Sequence, residues 1–274
     1  MSDTFSRSLL HWSDEKRRGM EDFYALATAD YGHLARALDW KAQFEALQAQ
    51  TPDEGLSLLD VACGSGKFPA ALMAHGNMGA AAIHPVAYAL LDPSAFSIRE
   101  ARRILEPPFV PADTFKTTLQ DFDPPQRYDV VWATHALYAV PPDEIAAAMA
   151  KFVAAVGRFG FIAHAAAEAH YIKFYDLFLA DRPGGVPYTR ADAIVNALEG
   201  QGISVSTRDI SYVSEAPLAA SDTVEGYLQR CVFDDTVSLD DLLAGAATGP
   251  YLEACRAEGA WRFAQTVTLI TLTR

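Results

Sequence analysis

Between residues 56 and 164 the chain alternates short apolar runs with stretches of helical period. Residues 56–62, VAYALL (86–91), TFKTTL (114–119), YDVVWAT (128–134) and RFGFIAH (158–164) predict five strands. VAYALL is apolar throughout, the pattern of a strand covered on both faces. Residues 67–75 predict a helix, as does SAFSIREARRIL with Ser94 as its cap. A third starts at Pro141-Pro142-Asp143 and runs through Phe152 and Val156. Strand and helix alternating at this spacing predict an α/β fold. Its sheet is doubly wound, of Rossmann type, mostly parallel and built with right-handed crossovers.

The flanks read differently. Residues 15–50 predict helix, with Leu34, Leu38, Phe44 and Leu47 near one face, before TPDEG (51–55) breaks it. After residue 164 comes a helix with an aromatic face: His170, Tyr171, Phe174, Tyr175 and Phe178. RPGGVP (182–187) is a turn-rich loop, and Thr189 with Asp192 resembles a capping box for a helix ending at Glu199. GISVSTRDISYV predicts a strand, and residues 216–258 are mixed and partly helical. The closing WRFAQTVTLITLTR alternates, as suits an edge or antiparallel strand. The expected organisation is an N-terminal helical lid over residues 1–50 and one domain over 51–274, with a helical elaboration at 165–260. Phe23, Tyr24 and Tyr31 place aromatic rings in the lid.

Composition narrows the function. The 274 residues carry a formal net charge of −13, with 50% hydrophobic and 21% charged residues. That supports a packed core and argues against nucleic acid as a partner, because phosphate contacts draw on Lys and Arg. Cys63, Cys231 and Cys255 show no CxxC spacing, which predicts neither disulfides nor zinc and fits a cytoplasmic protein. No apolar run is long enough to span a bilayer, so no membrane partner is expected. His164 and His170 are six apart with Glu168 between them, a spacing of no standard helix-face metal pair. No metal is expected. His75 and His84 are expected to face solvent.

The chemistry begins at LLDVACGSGKFP (58–69), a strand that ends in a turn almost bare of side chains. Such a turn lets a ligand approach the backbone at a helix N-terminus, and ligands of open α/β sheets bind at the carboxyl ends of the strands. Acids and polar groups recur at those ends. Asp60 lies in the first strand. Asp92 ends the second, where a carboxylate can hold both ribose hydroxyls. Asp121 and Phe122 follow the third in LQDF, at an adenine. Thr134 and His135 end the fourth, beside the reacting end. Together they predict a nucleoside site. GxGxxG fails for want of a third glycine, Gly66 to Asp92 is 26 positions, and no GxxxxGK[ST] occurs.

The stretch resembles the hhDhGxGxG motif of class I, Rossmann-type S-adenosylmethionine-dependent methyltransferases, with Ala62 in place of the first glycine. LLDPSAFSI, RYDVVWATHALYAVPPDEI, YLQRCVFDDTVSLDD and FAQTVTLITLTR extend the resemblance to the histamine N-methyltransferase-like small-molecule methyltransferases. The resemblance implies a cofactor, S-adenosylmethionine, with S-adenosylhomocysteine as its product, held by Ala62, Gly64, Gly66, Asp92, Ser97 and Thr134. It implies a substrate pocket drawing on His135, Tyr138, Tyr171 with Phe174 or Tyr175, and Gln265; the lid, folded over that pocket, is expected to add Tyr31. His135 stands where the histamine-binding members carry glutamine, and Asp39 is the nearest match to their N-terminal acid. His135 is the candidate base and Tyr138 a second catalytic candidate.

The expectation is methyl transfer to a small molecule, at nitrogen, by a monomer or homodimer. The alternatives are O- or C-methylation in secondary metabolism and a non-catalytic cofactor-binding partner subunit.

Overall fold

The computed structural model describes residues 3–11, 13, 15, 17–51, 55–78 and 83–274. Helices α1 (Asp3–His11), α2 (Arg17–Ala37) and α3 (Trp40–Gln48) precede the sheet. Then β1 (Leu56–Val61), α4 (Lys67–His75), β2 (Val86–Leu91), α5 (Ala95–Ile104) and β3 (Phe109–Phe115) build one half. β4 (Tyr128–Thr134), α6 (Ile145–Ala155) and β5 (Val156–Ala165) build the other. After α7 (His170–Asp181), α8 (Ala191–Glu199) and β6 (Ser206–Pro217) come α9 (Ser221–Val232), α10 (Leu239–Leu243) and α11 (Thr248–Ala254). The short β7 (Arg256–Ala257) and the long β8 (Ala260–Thr273) close the chain.

The sheet runs β3-β2-β1-β4-β5-β8-β6, with β7 paired to β8. β1 to β5 are parallel, and β8 is antiparallel to both β5 and β6. The fold is thus the expected mostly parallel α/β sheet with an antiparallel last strand. β8 is interior, and β6 takes the edge. Chain order reverses at β1, between β2 and β4, which makes their carboxyl ends the switch point.

The pleat sorts β1's side chains between two layers. Leu56 and Leu58 join Trp40, Phe44, Phe68 and Trp132 on one face; Leu59 and Val61 join Phe152 and Ile162 on the other. A separate apolar core unites α7, α9 and α11 with Trp261 and Phe263 of β8. The elaboration therefore packs as a body beside the sheet's carboxyl end. None of the described helices is long and apolar enough to cross a membrane.

Three local expectations are corrected. The third strand is 109–115, not 114–119; Pro111 sits inside it, which an edge strand tolerates because one row of its amides needs no partner. The N-terminal helix breaks after Ala37, because the Asp39 carboxylate accepts from Ala42 N–H (3.0 Å) and starts α3. Thr189 and Asp192 form no capping box. Arg190 is the N-cap of α8, the Thr189 hydroxyl donates to the Val140 carbonyl (2.6 Å), and its N–H donates to Tyr138 O (3.1 Å). Those two bonds pin the loop after β4, which carries His135 and Tyr138.

Candidate functional site

The turn between β1 and α4 is built from left-handed residues: Ala62 (φ 51°), Gly64 (φ 52°) and Gly66 (φ 74°). Gly66 serves packing. A Cβ there would lie 2.6 Å from Ile104 Cδ1 and 3.0 Å from Ala101 Cα, so the glycine lets α4 and α5 meet. Ala62 holds a conformation that costs an L residue about 1–2 kcal/mol. Ala62→Gly is expected to raise the unfolding free energy by about 0.5–1 kcal/mol, the unfolded-state entropy of glycine offsetting part of the relief. Urea denaturation measures it, and an unchanged or lower midpoint would show that the alanine fits without strain.

Asp92, 7% exposed, stands opposite the turn. Its Oδ2 accepts from Gly64 N–H (3.0 Å) and its Oδ1 from Ser94 N–H (2.8 Å). Each oxygen keeps lone pairs for a ligand hydroxyl. Burial pushes the carboxyl up to about 6, against the two amides that favour its charge. Asp60 lies beneath the turn, off the cavity. The pleat turns it into the aromatic layer, where Tyr88 donates to its Oδ2 (2.7 Å) and burial lifts it to about 7.

Two cavities open at this switch point. The first, of about 120 Å³, is lined by Ala62, Gly64, Asp92, Ser94 and Thr134, with Thr118–Gln120 at its far side. The second, of about 90 Å³, is walled by Phe23, Tyr138, Tyr171, Tyr188 and Phe233. Ser8 of α1, Tyr31 of α2 and His135 line both, so the cavities meet at those residues.

His135 occupies this junction with a left-handed backbone (φ 52°), its N–H bonded to Ala163 O (2.9 Å). Its Nδ1 lies 2.7 Å from the Tyr138 hydroxyl, and its Nε2 is buried with no hydrogen-bond partner. Burial, with His164 nearby, lowers its pKa to about 3, so the ring is neutral. Tyr31 meets it edge-on at 5.8 Å between centroids.

The second cavity holds a buried acid that the sequence reading missed. Asp30 is 2% exposed and accepts from the Tyr171 hydroxyl (2.5 Å) and, longer, from Ser214 Oγ (3.5 Å). Burial raises it to about 7 although both hydroxyls favour the anion. Its signal was present. Met20, Phe23, Ala27, Asp30 and Leu34 recur at intervals of three and four, so an acid stands in the apolar stripe of α2. Asp39, the acid proposed from sequence, caps α3 instead. Arg230 lines the same cavity, its guanidinium donating to the His11 carbonyl.

Several expected site residues lie elsewhere. Ser97 is in the first turn of α5, its N–H bonded to Ser94 Oγ (3.2 Å), and Ser94 faces the cavity in its place. Asp121 is exposed and tied to Thr118, and Phe122 packs on Phe115. The early end of β3 moves the cavity-facing segment to 118–120. Phe174 stacks on His170, and Tyr175 bonds Thr4 Oγ1 (3.0 Å) and stacks on Tyr188. Gln265 sits behind Tyr227, donating to its hydroxyl (3.3 Å). None of these three lines the cavity; Tyr175 stands directly behind its wall at Tyr188, and Phe174 and Gln265 pack on His170 and Tyr227, which do not line it either. His164 donates from Nε2–H to the Thr189 carbonyl (2.9 Å), and His170 Nδ1 bonds the Tyr251 hydroxyl. Among the described residues no group of three His, Cys, Asp or Glu could hold a metal ion.

Residues 59–162, from β1 to β5, match a family model described as a methyltransferase domain, a little over a third of the chain. No curated protein matches the sequence. Solved structures match over most of its length. Magnesium protoporphyrin IX methyltransferase from Synechocystis PCC 6803, with bound S-adenosylhomocysteine, aligns at TM-score 0.55 and 12% identity, covering 98% of this chain and 99% of that one. A cyclopropane-fatty-acyl-phospholipid synthase-like protein from Lactobacillus casei ATCC 334 aligns at 0.51 and 14%, covering 85% and 90%. The plantazolicin methyltransferase BpumL, in complex with S-adenosylhomocysteine and a monoazolic desmethyl analogue, aligns at 0.50 and 12%, covering 99% and 97%. At these identities the likeness is one of fold.

Proposed function

We propose that the protein is an S-adenosylmethionine-dependent methyltransferase whose first cavity takes the cofactor and whose second takes a compact nitrogen nucleophile bearing a cationic group. The observation that carries this reading is the unpartnered, buried Nε2 of His135 at the junction of the two cavities. The match of residues 59–162 to a methyltransferase domain supports it. The first cavity fits the cofactor: Asp92 offers two oxygens to the ribose diol, Ala62 and Gly64 open the backbone to the tail, and 118–120 flank the adenine.

When bound, the cofactor supplies a methyl group on a sulfonium, which passes to the acceptor's lone pair as the carbon–sulfur bond breaks. The chain's own residues orient and enclose. Neutral His135 accepts a hydrogen bond from the acceptor's N–H at Nε2 and points the lone pair across the junction. For that, its Nδ1–H donates to Tyr138, which fixes the tautomer. The acceptor enters unprotonated, because the junction offers it no carboxylate. Tyr31 and Ser8 close the path to water, and α1 with α2 is the lid.

Asp30 sets the substrate class. A buried carboxylate among aromatic rings suits an organic cation. The aromatic walls of the second cavity, Phe23, Tyr138, Tyr171, Tyr188 and Phe233, favour a planar acceptor. The quoted resemblance to histamine N-methyltransferase-like enzymes supports nitrogen as the acceptor. Calorimetry with S-adenosylmethionine and S-adenosylhomocysteine, then turnover on compact diamines and amino-heterocycles, tests the reading. No cofactor binding to the folded protein, or turnover confined to hydroxyl or carbon acceptors, would overturn it.

Asp30→Asn is expected to raise KM for a cationic substrate at least tenfold and leave kcat within about threefold, the mark of lost ground-state binding. Because the Asp30 pKa is raised to about 7, the anion forms as pH climbs through that value, and kcat/KM of the wild type rises with it. The variant should lose this limb. An unchanged pH profile would assign the limb to another group.

A further inference from the structure

Among the described residues lining the first cavity, Asp92 is the sole carboxylate and Lys67 the sole lysine or arginine. Lys67 opens α4, immediately after the glycine turn. It is half-buried, and desolvation lowers its pKa. Among the described residues it has neither a hydrogen bond nor an ion pair. Its ammonium lies instead 4.4 Å from the ring centroid of Tyr24 on α2, held over the face of that ring. The Tyr24 hydroxyl in turn reaches the glycine turn, 3.8 Å from where a Gly64 Cβ would stand. Beside it the Ser65 hydroxyl is buried and lines the same cavity, with the Tyr24 hydroxyl as its neighbour. A desolvated cation with no ion pair among the described residues and a buried hydroxyl thus line the same cavity as Asp92.

We infer that Lys67, steadied by Tyr24 and joined by Ser65, binds the carboxylate of the cofactor's amino-acid tail. The inference rests on the cofactor assignment above. It divides the first cavity by charge, with the anionic Asp92 on the neutral ribose hydroxyls and the cationic Lys67 on the anionic tail. It also makes α2 part of the cofactor site through Tyr24, so the lid and the tail are ordered by the same lysine.

The test pairs two ligands that differ in the carboxylate alone: S-adenosylhomocysteine and its decarboxylated analogue S-adenosyl-3-thiopropylamine. Calorimetry on the wild type and on Lys67→Gln should show S-adenosylhomocysteine weakened at least tenfold and the analogue changed less than twofold. Lys67→Arg should restore most of the loss. Equal weakening of both ligands would make Lys67 a support of the turn, and unchanged S-adenosylhomocysteine affinity would place the carboxylate elsewhere; either overturns the inference. Failure of the wild type to bind S-adenosylhomocysteine at all would overturn the cofactor assignment itself, a result distinct from the other two.

Discussion

Asp92→Ala is expected to weaken S-adenosylhomocysteine at least 100-fold, the largest binding effect of any single change at this site. Two contributions act together. A carboxylate accepting two ribose hydroxyls makes charge-assisted hydrogen bonds of roughly 1.5–3 kcal/mol each. The same carboxylate organises the turn, because its oxygens accept from Gly64 and Ser94 N–H. Alanine loses the ligand bonds and frees the amide of a residue held at φ 52°. Asp92→Asn separates the two. Its amide oxygen still accepts one backbone bond, but its NH₂ group meets the other N–H as a donor facing a donor, so one side of the turn is lost with the charge. The expected order of affinity is wild type, then Asn, then Ala, read by calorimetry at pH 7.5. That lies above the Asp92 value of about 6, so the wild-type acid is ionised. Asn and Ala binding within threefold of the wild type would remove Asp92 from the ribose.

The part of this architecture written in local pattern was legible from the residues. Continuous apolar runs such as VAYALL mark buried parallel strands, and a bare turn after LLDV marks a ligand's approach. Thr134 and Asp92 follow from strand ends, and strand ends follow from period. Pro111 defeated the third strand because proline counts against a strand everywhere except at an edge, and edges are not visible locally. Asp121 and Phe122 then failed with it, since their roles depended on where that strand stopped.

The second cavity was harder for a different reason. Its walls come from α2, the loop after β4, α7, the 182–190 segment and α9, far apart in sequence and joined only by packing. Phe174 and Tyr175 share one face of α7 with Tyr171, so helical period does not tell them apart; packing does, with Phe174 stacked on His170 and Tyr175 on Tyr188 while Tyr171 lines the cavity. Tyr188 and Phe233 carried no local mark. Asp30 did carry one, a polar position in an apolar stripe, and it shows the more general signal: an acid where the helix period calls for a hydrophobe is either paired in the core or waiting for a ligand.

Replacing His135 by alanine is expected to lower kcat by about 10–100-fold while S-adenosylhomocysteine affinity stays within twofold. The low end is what one orienting hydrogen bond contributes; the high end approaches the usual effect of a general base. The buried ring, held near pKa 3, is a weak proton acceptor and a good hydrogen-bond acceptor, which puts the expected value toward the low end. The pH profile distinguishes the roles. A histidine that must be neutral to work is neutral throughout pH 5–9 here, so it adds no limb near 6.5; the limb near 7 belongs to Asp30 and survives in the His135 variant. Tyr138→Phe supplies the second reading. It leaves Nδ1 without its partner at 2.7 Å, so the proton is free to shift to Nε2, where it opposes the acceptor's N–H. The expected result is a kcat loss of a few-fold to tenfold with KM little changed. If His135→Ala instead abolished cofactor binding, the ring would be a cofactor contact, and the acceptor's orientation would have to come from Tyr31 or Tyr138.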